Sequence, residues 1–121
     1  VYGNGRQRRS FTWVGDVVEA MIRLIQEPRA YGEVFNVGHT EDISIYELAC
    51  LVKELTGSDS EIVFIPYEQA YEEGFEDMPR RLPDISKIQA LIGYRPTLRL
   101  PEMLERIIAY EREQLRLGAV A

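Results

Sequence analysis

The chain has 121 residues, 45% hydrophobic and 28% charged, enough for one globular domain with a real core and unlike a disordered or fibrous polymer. A net charge of -6 disfavours binding to nucleic acid or to an anionic membrane surface. No apolar run approaches the roughly 20 residues of a membrane-spanning helix, and one cysteine with one histidine cannot build a disulfide or an imidazole-thiolate zinc site.

The chain opens Val1-Tyr2-Gly3-Asn4-Gly5, with neither a starting Met nor a basic-then-apolar export pattern. The expectation is a cytoplasmic chain that is a fragment, a processed product or a trimmed one. Phe11-Thr12-Trp13-Val14 is a short β-favouring run. Asp16, with Glu19 three residues on, then matches a capping box, and Val14, Val17, Val18, Met21 and Ile25 take the spacing of one buried helical face. Pro28 stops that helix. Val34-Phe35-Asn36-Val37, between Gly32 and Gly38, reads as a buried strand.

Ser44 and Glu47 form a second capping box, opening the clearest helix in the chain. It carries Leu48, Leu51, Val52 and Leu55 on one side and ends at Gly57. Ile62-Val63-Phe64-Ile65 is a continuous apolar run, as in a strand covered on both faces. Residues 67–82 lack periodicity and read as one long loop. Asp84 is expected to cap a short helix bearing Ile85, Ile88, Leu91 and Ile92. Pro101 starts a last helix with Leu104, Ile107, Ile108 and Leu115 inward and a solvated end at Glu111-Arg112-Glu113-Gln114. The alternation is that of an α/β fold with too few strands for a complete doubly wound sheet.

Two arginine clusters stand out against the acidic background. Tyr2-Gly3-Asn4-Gly5-Arg6-Gln7-Arg8-Arg9 joins a glycine turn to planar cationic forks that can grip phosphate oxygens in pairs, although the same residues could form a solvated basic hairpin. Its Gly-x-Gly is no dinucleotide fingerprint, because Arg8 stands at the third glycine position and no helix follows at once. Arg80-Arg81-Leu82-Pro83-Asp84 places two cations beside a helix start, a favourable place for an anion; equally, Asp84 could only cap and the arginines neutralise Glu76 and Asp77. The acidic stretch Tyr71–Asp77 lacks the spacing of a calcium loop and reads as solvated charge, with Gly74-Phe75 available as hinge and anchor of a lid. Cys50 reads as a packed, inert thiol, and His39 as a loop residue with no second histidine to act with.

Taken with Val34-Phe35-Asn36-Val37-Gly38, Ser44–Ala49 and Ile92-Gly93-Tyr94-Arg95-Pro96, these motifs resemble the C-terminal portion of the extended short-chain dehydrogenase/reductases that act on nucleotide sugars. UDP-glucose 4-epimerase, dTDP-glucose 4,6-dehydratase and UDP-glucuronate decarboxylase are members. The resemblance covers Val1 to about Tyr110. It implies a partial Rossmann-like fragment: a small substrate-binding lobe with few strands and about four helices, whose residues about 1–40 complete the edge of a Rossmann domain not contained here. It also implies that Arg9 grips the diphosphate of a UDP- or dTDP-sugar, with Tyr2 and Gln7 beside the nucleotide, Arg81 near the diphosphate or sugar, and Asp84 on the ribose. Asn36 would fix a junction between lobes.

In such enzymes NAD lies on a glycine-rich turn and catalysis uses a tyrosine with a lysine four residues on. None of the seven tyrosines has that lysine. The resemblance therefore implies no catalytic, cofactor-binding or metal-binding residue in this chain, NAD only in a parent enzyme, and inactivity of the chain alone. A non-catalytic module that self-assembles through an exposed sheet edge is the alternative.

Overall fold

The computed structural model describes residues 1–70 and 78–118. Three two-residue strands form one small mixed sheet, β1 (Arg8–Arg9), β2 (Ile43–Ser44) and β3 (Arg80–Arg81), in the order β2-β1-β3. Strand β2 runs antiparallel to β1, with Arg8 opposite Ser44. Strand β3 runs parallel to it, with Arg8 opposite Arg80 and Arg9 opposite Arg81. Around the sheet lie α1 (Val14–Ile25), α2 (Ile45–Thr56), the single turn α3 (Tyr67–Ala70), α4 (Ser86–Ile92) and α5 (Leu100–Arg116), with a 3-10 turn at Pro28–Ala30. Among the described residues no helix is long and apolar enough to cross a membrane.

The expected α/β character and helix complement are present, but the strands differ. Phe11 to Trp13 and Val34 to Val37 adopt no regular strand, and of the Ile62–Ile65 run only Ile65 pairs, in a parallel bridge to Tyr2. An extended apolar run becomes a strand only when a neighbour supplies the other half of its ladder; among the described residues the first two runs have none, and the third meets only Val1 to Gly3, which bond Val63 and Ile65. The segment read as one long loop begins with α3 and ends in β3. Gly74-Phe75, the expected hinge and anchor, and the acids at 72, 73, 76 and 77 lie outside the described residues.

Helix α2 forms as its capping box dictates. Ser44 Oγ accepts the Glu47 amide at 3.1 Å, the Glu47 carboxylate accepts the Ser44 amide at 3.0 Å, and Gly57 closes the helix in the left-handed conformation at φ 65°. Its remaining first-turn amides are also taken, because Ile45 N–H donates to the Gln7 carbonyl and Tyr46 N–H to the Gly5 carbonyl, both at 3.0 Å. The N-terminal glycine turn is thereby stitched to the start of α2.

Helix α1 begins two residues earlier than expected, and Asp16 does not cap it. Asp16 sits in the first turn, buried, and its two oxygens accept the Thr97 amide at 2.9 Å and the Thr97 hydroxyl at 2.6 Å. A tertiary partner 81 residues away has taken the carboxylate that the local pattern assigns to the helix end. The stripe that turns inward is Asp16, Ala20 and Leu24, whereas Val14, Val18, Met21 and Ile25 face outward, Ile25 with 69% of its surface exposed.

The core is small. Ala20, Ile85, Ile88 and Tyr94 form its centre, with Leu24, Phe35, Val37 and Ile92 packed around them. The Tyr94 hydroxyl donates to the Gly38 carbonyl at 2.9 Å, and burial, with the Asp16 charge adding to it, raises the Tyr94 pKa. Helix α5 starts at Leu100 with Pro101 in its first turn and packs on α2. Met103 is its buried residue, while Ile107 and Leu115, expected inward, are exposed.

Candidate functional site

The sheet sorts the arginines. Successive side chains on a strand point to opposite faces, and the β1–β3 register places Arg8 with Arg80 and Arg9 with Arg81. Arg8 and Arg80 meet one carboxylate: Arg8 Nε lies 3.1 Å from Asp42 Oδ1, and Arg80 Nε lies 2.6 Å from Asp42 Oδ2. Arg8 also donates to the Asp42 carbonyl at 3.2 Å and reaches Glu47 at 3.4 Å. The Arg80 hydrogen bond, followed by that of Arg8, holds the Asp42 carboxyl below its ordinary value against the opposing effect of burial. This tie therefore contributes stability above the ordinary aspartate range and loses it as pH falls through the lowered value.

Arg9 and Arg81 line an open groove of about 630 Å³ together with Arg80, Ser10, Gly38 and Pro83. Arg9 Nη1 donates to the carbonyls of Arg8 and Met78, each at 2.7 Å, which orients the guanidinium plane and ties β1 to the segment entering β3. The Arg8 amide donates to the Pro79 carbonyl at 2.7 Å, a second tie to the same segment. Among the described residues the Arg81 side chain has no ion-pair or hydrogen-bond partner. Gly38 makes the groove floor possible: a β-carbon there would fall 2.5 Å from Pro83 Cγ, so only glycine lets the Arg81-to-Pro83 segment lie this close.

The other expected binding residues do not line this groove. The Tyr2 carbonyl accepts the Gln7 side-chain amide at 3.2 Å, so these two residues are joined to each other at the N-terminal turn. Asp84 Oδ1 accepts the Ser86 amide at 2.9 Å, and contact with Ser86 holds its carboxyl below the ordinary value. The N-cap position itself belongs to Ile85, so Asp84 caps α4 from one residue further out. That helix amide is consequently occupied by Asp84. Neither Glu76 nor Asp77, named above as alternative partners of the arginines, lies within the described residues; the observed partner of Arg80 is Asp42, which the sequence reading did not single out.

His39 is buried, its carbonyl accepting the Ser10 hydroxyl at 2.7 Å and its Nδ1 accepting the Glu41 amide at 3.0 Å. It braces the groove wall. Cys50 is half-buried, and Asn36 is exposed beside Val37.

The glycine turn does not fit a dinucleotide. Gly3 and Gly5 both adopt left-handed φ near 67°, but the turn leads into β1 and not into a helix N-terminus. A β-carbon on Gly3 would fall 2.5 Å from the Tyr67 ring, and one on Gly5 2.9 Å from Tyr46 Cβ. Both glycines are thus required by packing within the chain itself.

The family model for GDP-mannose 4,6 dehydratase matches residues 1–107. The chain belongs to the extended short-chain dehydrogenase/reductases of nucleotide-sugar metabolism. Within that family, the UDP-N-acetyl-alpha-D-glucosaminuronate decarboxylase of Bacillus cytotoxicus is 40% identical over 113 residues, covering 93% of this chain and 35% of its own. The UDP-glucose 4-epimerase of Thermotoga maritima, solved with UDP-glucose, superposes with a TM-score of 0.82 at 30% identity over 95% of this chain and 35% of its own. The UDP-glucuronic acid 4-epimerase of Bacillus cereus, solved with NAD, superposes with a TM-score of 0.69 at 26% identity over 87% of this chain and 31% of its own. The chain thus spans about a third of the length of these epimerase and decarboxylase relatives.

Proposed function

We propose that this chain is the substrate-binding part of an NAD-dependent nucleotide-sugar epimerase, dehydratase or decarboxylase, and that the Arg9–Arg81 groove holds the diphosphate of a UDP- or dTDP-sugar. The observation that carries the reading is the sorting of the four arginines. Arg9, Arg80 and Arg81 all border one open groove, and of these Asp42 takes up Arg80, together with Arg8, and leaves Arg9 and Arg81 outside its grip. Two planar forks side by side match an anion with several oxygens, and holding the substrate by its unreactive diphosphate would leave the sugar to be presented elsewhere. In the same reading Asp84 meets the ribose, and Tyr2 and Gln7 flank the nucleotide from the N-terminal turn. NAD belongs to the parent enzyme, whose bound cofactor would oxidise the sugar at C4, and the chain by itself is inactive.

Calorimetric titration tests this. UDP is expected to bind, and uridine, which lacks the diphosphate, to bind at least about tenfold more weakly, the equivalent of about 1.4 kcal/mol. Equal affinity for the two, or no UDP binding by folded protein, contradicts the assignment of the groove.

Exposed apolar residues favour a second reading, self-assembly. Val14, Val18, Met21 and Ile25 form an exposed apolar stripe along α1, and Phe11, Leu48, Met103 and Ile107 line an apolar groove of about 640 Å³ between α2 and α5. Contiguous apolar surface of this kind attracts partners. The association surface in this reading is helical, whereas the sequence pointed to a sheet edge. Light scattering is expected to show concentration-dependent oligomers that Met21→Glu disperses; a monomer at all concentrations removes this reading.

A further inference from the structure

One carboxylate, at the start of one strand, ties together the other two. Asp42 immediately precedes β2, accepts Arg8 of β1 on Oδ1 and accepts Arg80 of β3 on Oδ2. Its side chain is only 9% exposed. Arg8 and Arg80 are direct neighbours in a parallel ladder, so without a counter-ion two guanidinium groups would face each other across it, and like charges so placed push strands apart. The next rung of that ladder is Arg9 opposite Arg81. Any loosening of the Arg8–Arg80 rung passes directly to the pair that lines the groove.

We infer that Asp42 is the positioning residue of the anion site: it clasps β3 to β1 and so sets the separation and direction of the Arg9 and Arg81 forks. The role rests on the diphosphate reading of the groove. Asp42 touches no ligand in this account. It acts through the strand register, and it also holds Arg80, a residue of the groove lining, by its Nε. The clasp is therefore a selectivity device. A diphosphate spanning both forks depends on their separation, whereas a monophosphate gripped by one fork does not.

The experiment is titration of the folded full chain with UDP and with UMP, in wild type, Asp42→Asn and Asp42→Glu, with thermal unfolding followed in parallel. Asp42→Asn keeps the shape and removes the charge. It is expected to lower the UDP-to-UMP affinity ratio about tenfold, the loss of one well-aligned charge-assisted contact, with UMP affinity nearly unchanged. Asp42→Glu, which restores the charge, is expected to recover part of the ratio. Equal losses for UDP and UMP would mean that Asp42 serves the fold alone, as would failure of Asp42→Asn to fold, and either overturns the role. An unchanged ratio, or tighter UDP binding through release of Arg80 into the groove, overturns it as well. Wild-type protein that binds neither ligand overturns the diphosphate reading and this role with it. Wild-type binding with an unaltered Asp42→Asn ratio overturns the role alone.

Discussion

Alanine at both Arg9 and Arg81 is expected to abolish measurable UDP binding, and each single substitution to weaken it by one to two orders of magnitude. A hydrogen bond to a charged group contributes about 1.5–3 kcal/mol net, which corresponds to roughly ten- to a hundredfold per guanidinium. The two effects should not simply add. Arg9 Nη1 holds the Met78 carbonyl, and Met78 lies just before β3, so removing Arg9 also loosens the strand that presents Arg81. In a double-mutant cycle the second substitution should cost about 1 kcal/mol less after the first than alone, the coupling expected of residues that share a partner. Arg116→Ala is the control. Arg116 pairs with Glu113 on the exposed end of α5, and its loss should leave UDP affinity where it was. A flat response to Arg9→Ala and Arg81→Ala would remove the groove from consideration as the anion site.

Which parts of this arrangement were legible in the sequence follows from how local their causes are. The α2 capping box and its Gly57 stop are settled within one helical turn, and both appear where the pattern put them. The start of α1 was misread because Asp16 serves Thr97, a contact no local pattern announces. The outward stripe of α1 has the spacing of a buried face, and spacing shows that a face is apolar without showing what covers it. At the site, the glycine and arginine motifs were visible, and the resemblance added Arg9 and Arg81. Which of them Asp42 clasps and which it leaves depends on the parallel β1–β3 register, a pairing across 72 residues. Asp42 was missed for the same reason. Its one signal was arithmetical: adjacent arginines on a strand must point to opposite faces, so one of each pair needs a counter-ion on the sheet side.

The core sets the other large effect. Ile88 is the one described residue with a fully buried large side chain, and it sits where α4 meets Ala20, Ile85 and Tyr94. Ile88→Ala is expected to destabilise the chain by about 2–5 kcal/mol, from lost burial together with the cavity left behind. Stabilities of domains lie at about 5–15 kcal/mol, so a chain with so few buried residues would approach its unfolding threshold. Ile88→Val should cost only about 0.5–1.5 kcal/mol, and Leu115→Ala, on the exposed end of α5, should remain within about 0.5 kcal/mol. Denaturant unfolding followed by circular dichroism reads all three. The core substitution also separates stability from recognition. α4 follows directly on the Arg81-to-Asp84 segment, yet Ile88 is not among the residues that line the groove. UDP affinity of the Ile88→Ala protein should therefore fall only by the fraction unfolded and recover as saturating ligand draws the population back to the folded state. An affinity loss beyond that fraction would mean that the core sets the geometry of the groove, and the sheet clasp alone would no longer explain how Arg9 and Arg81 are held.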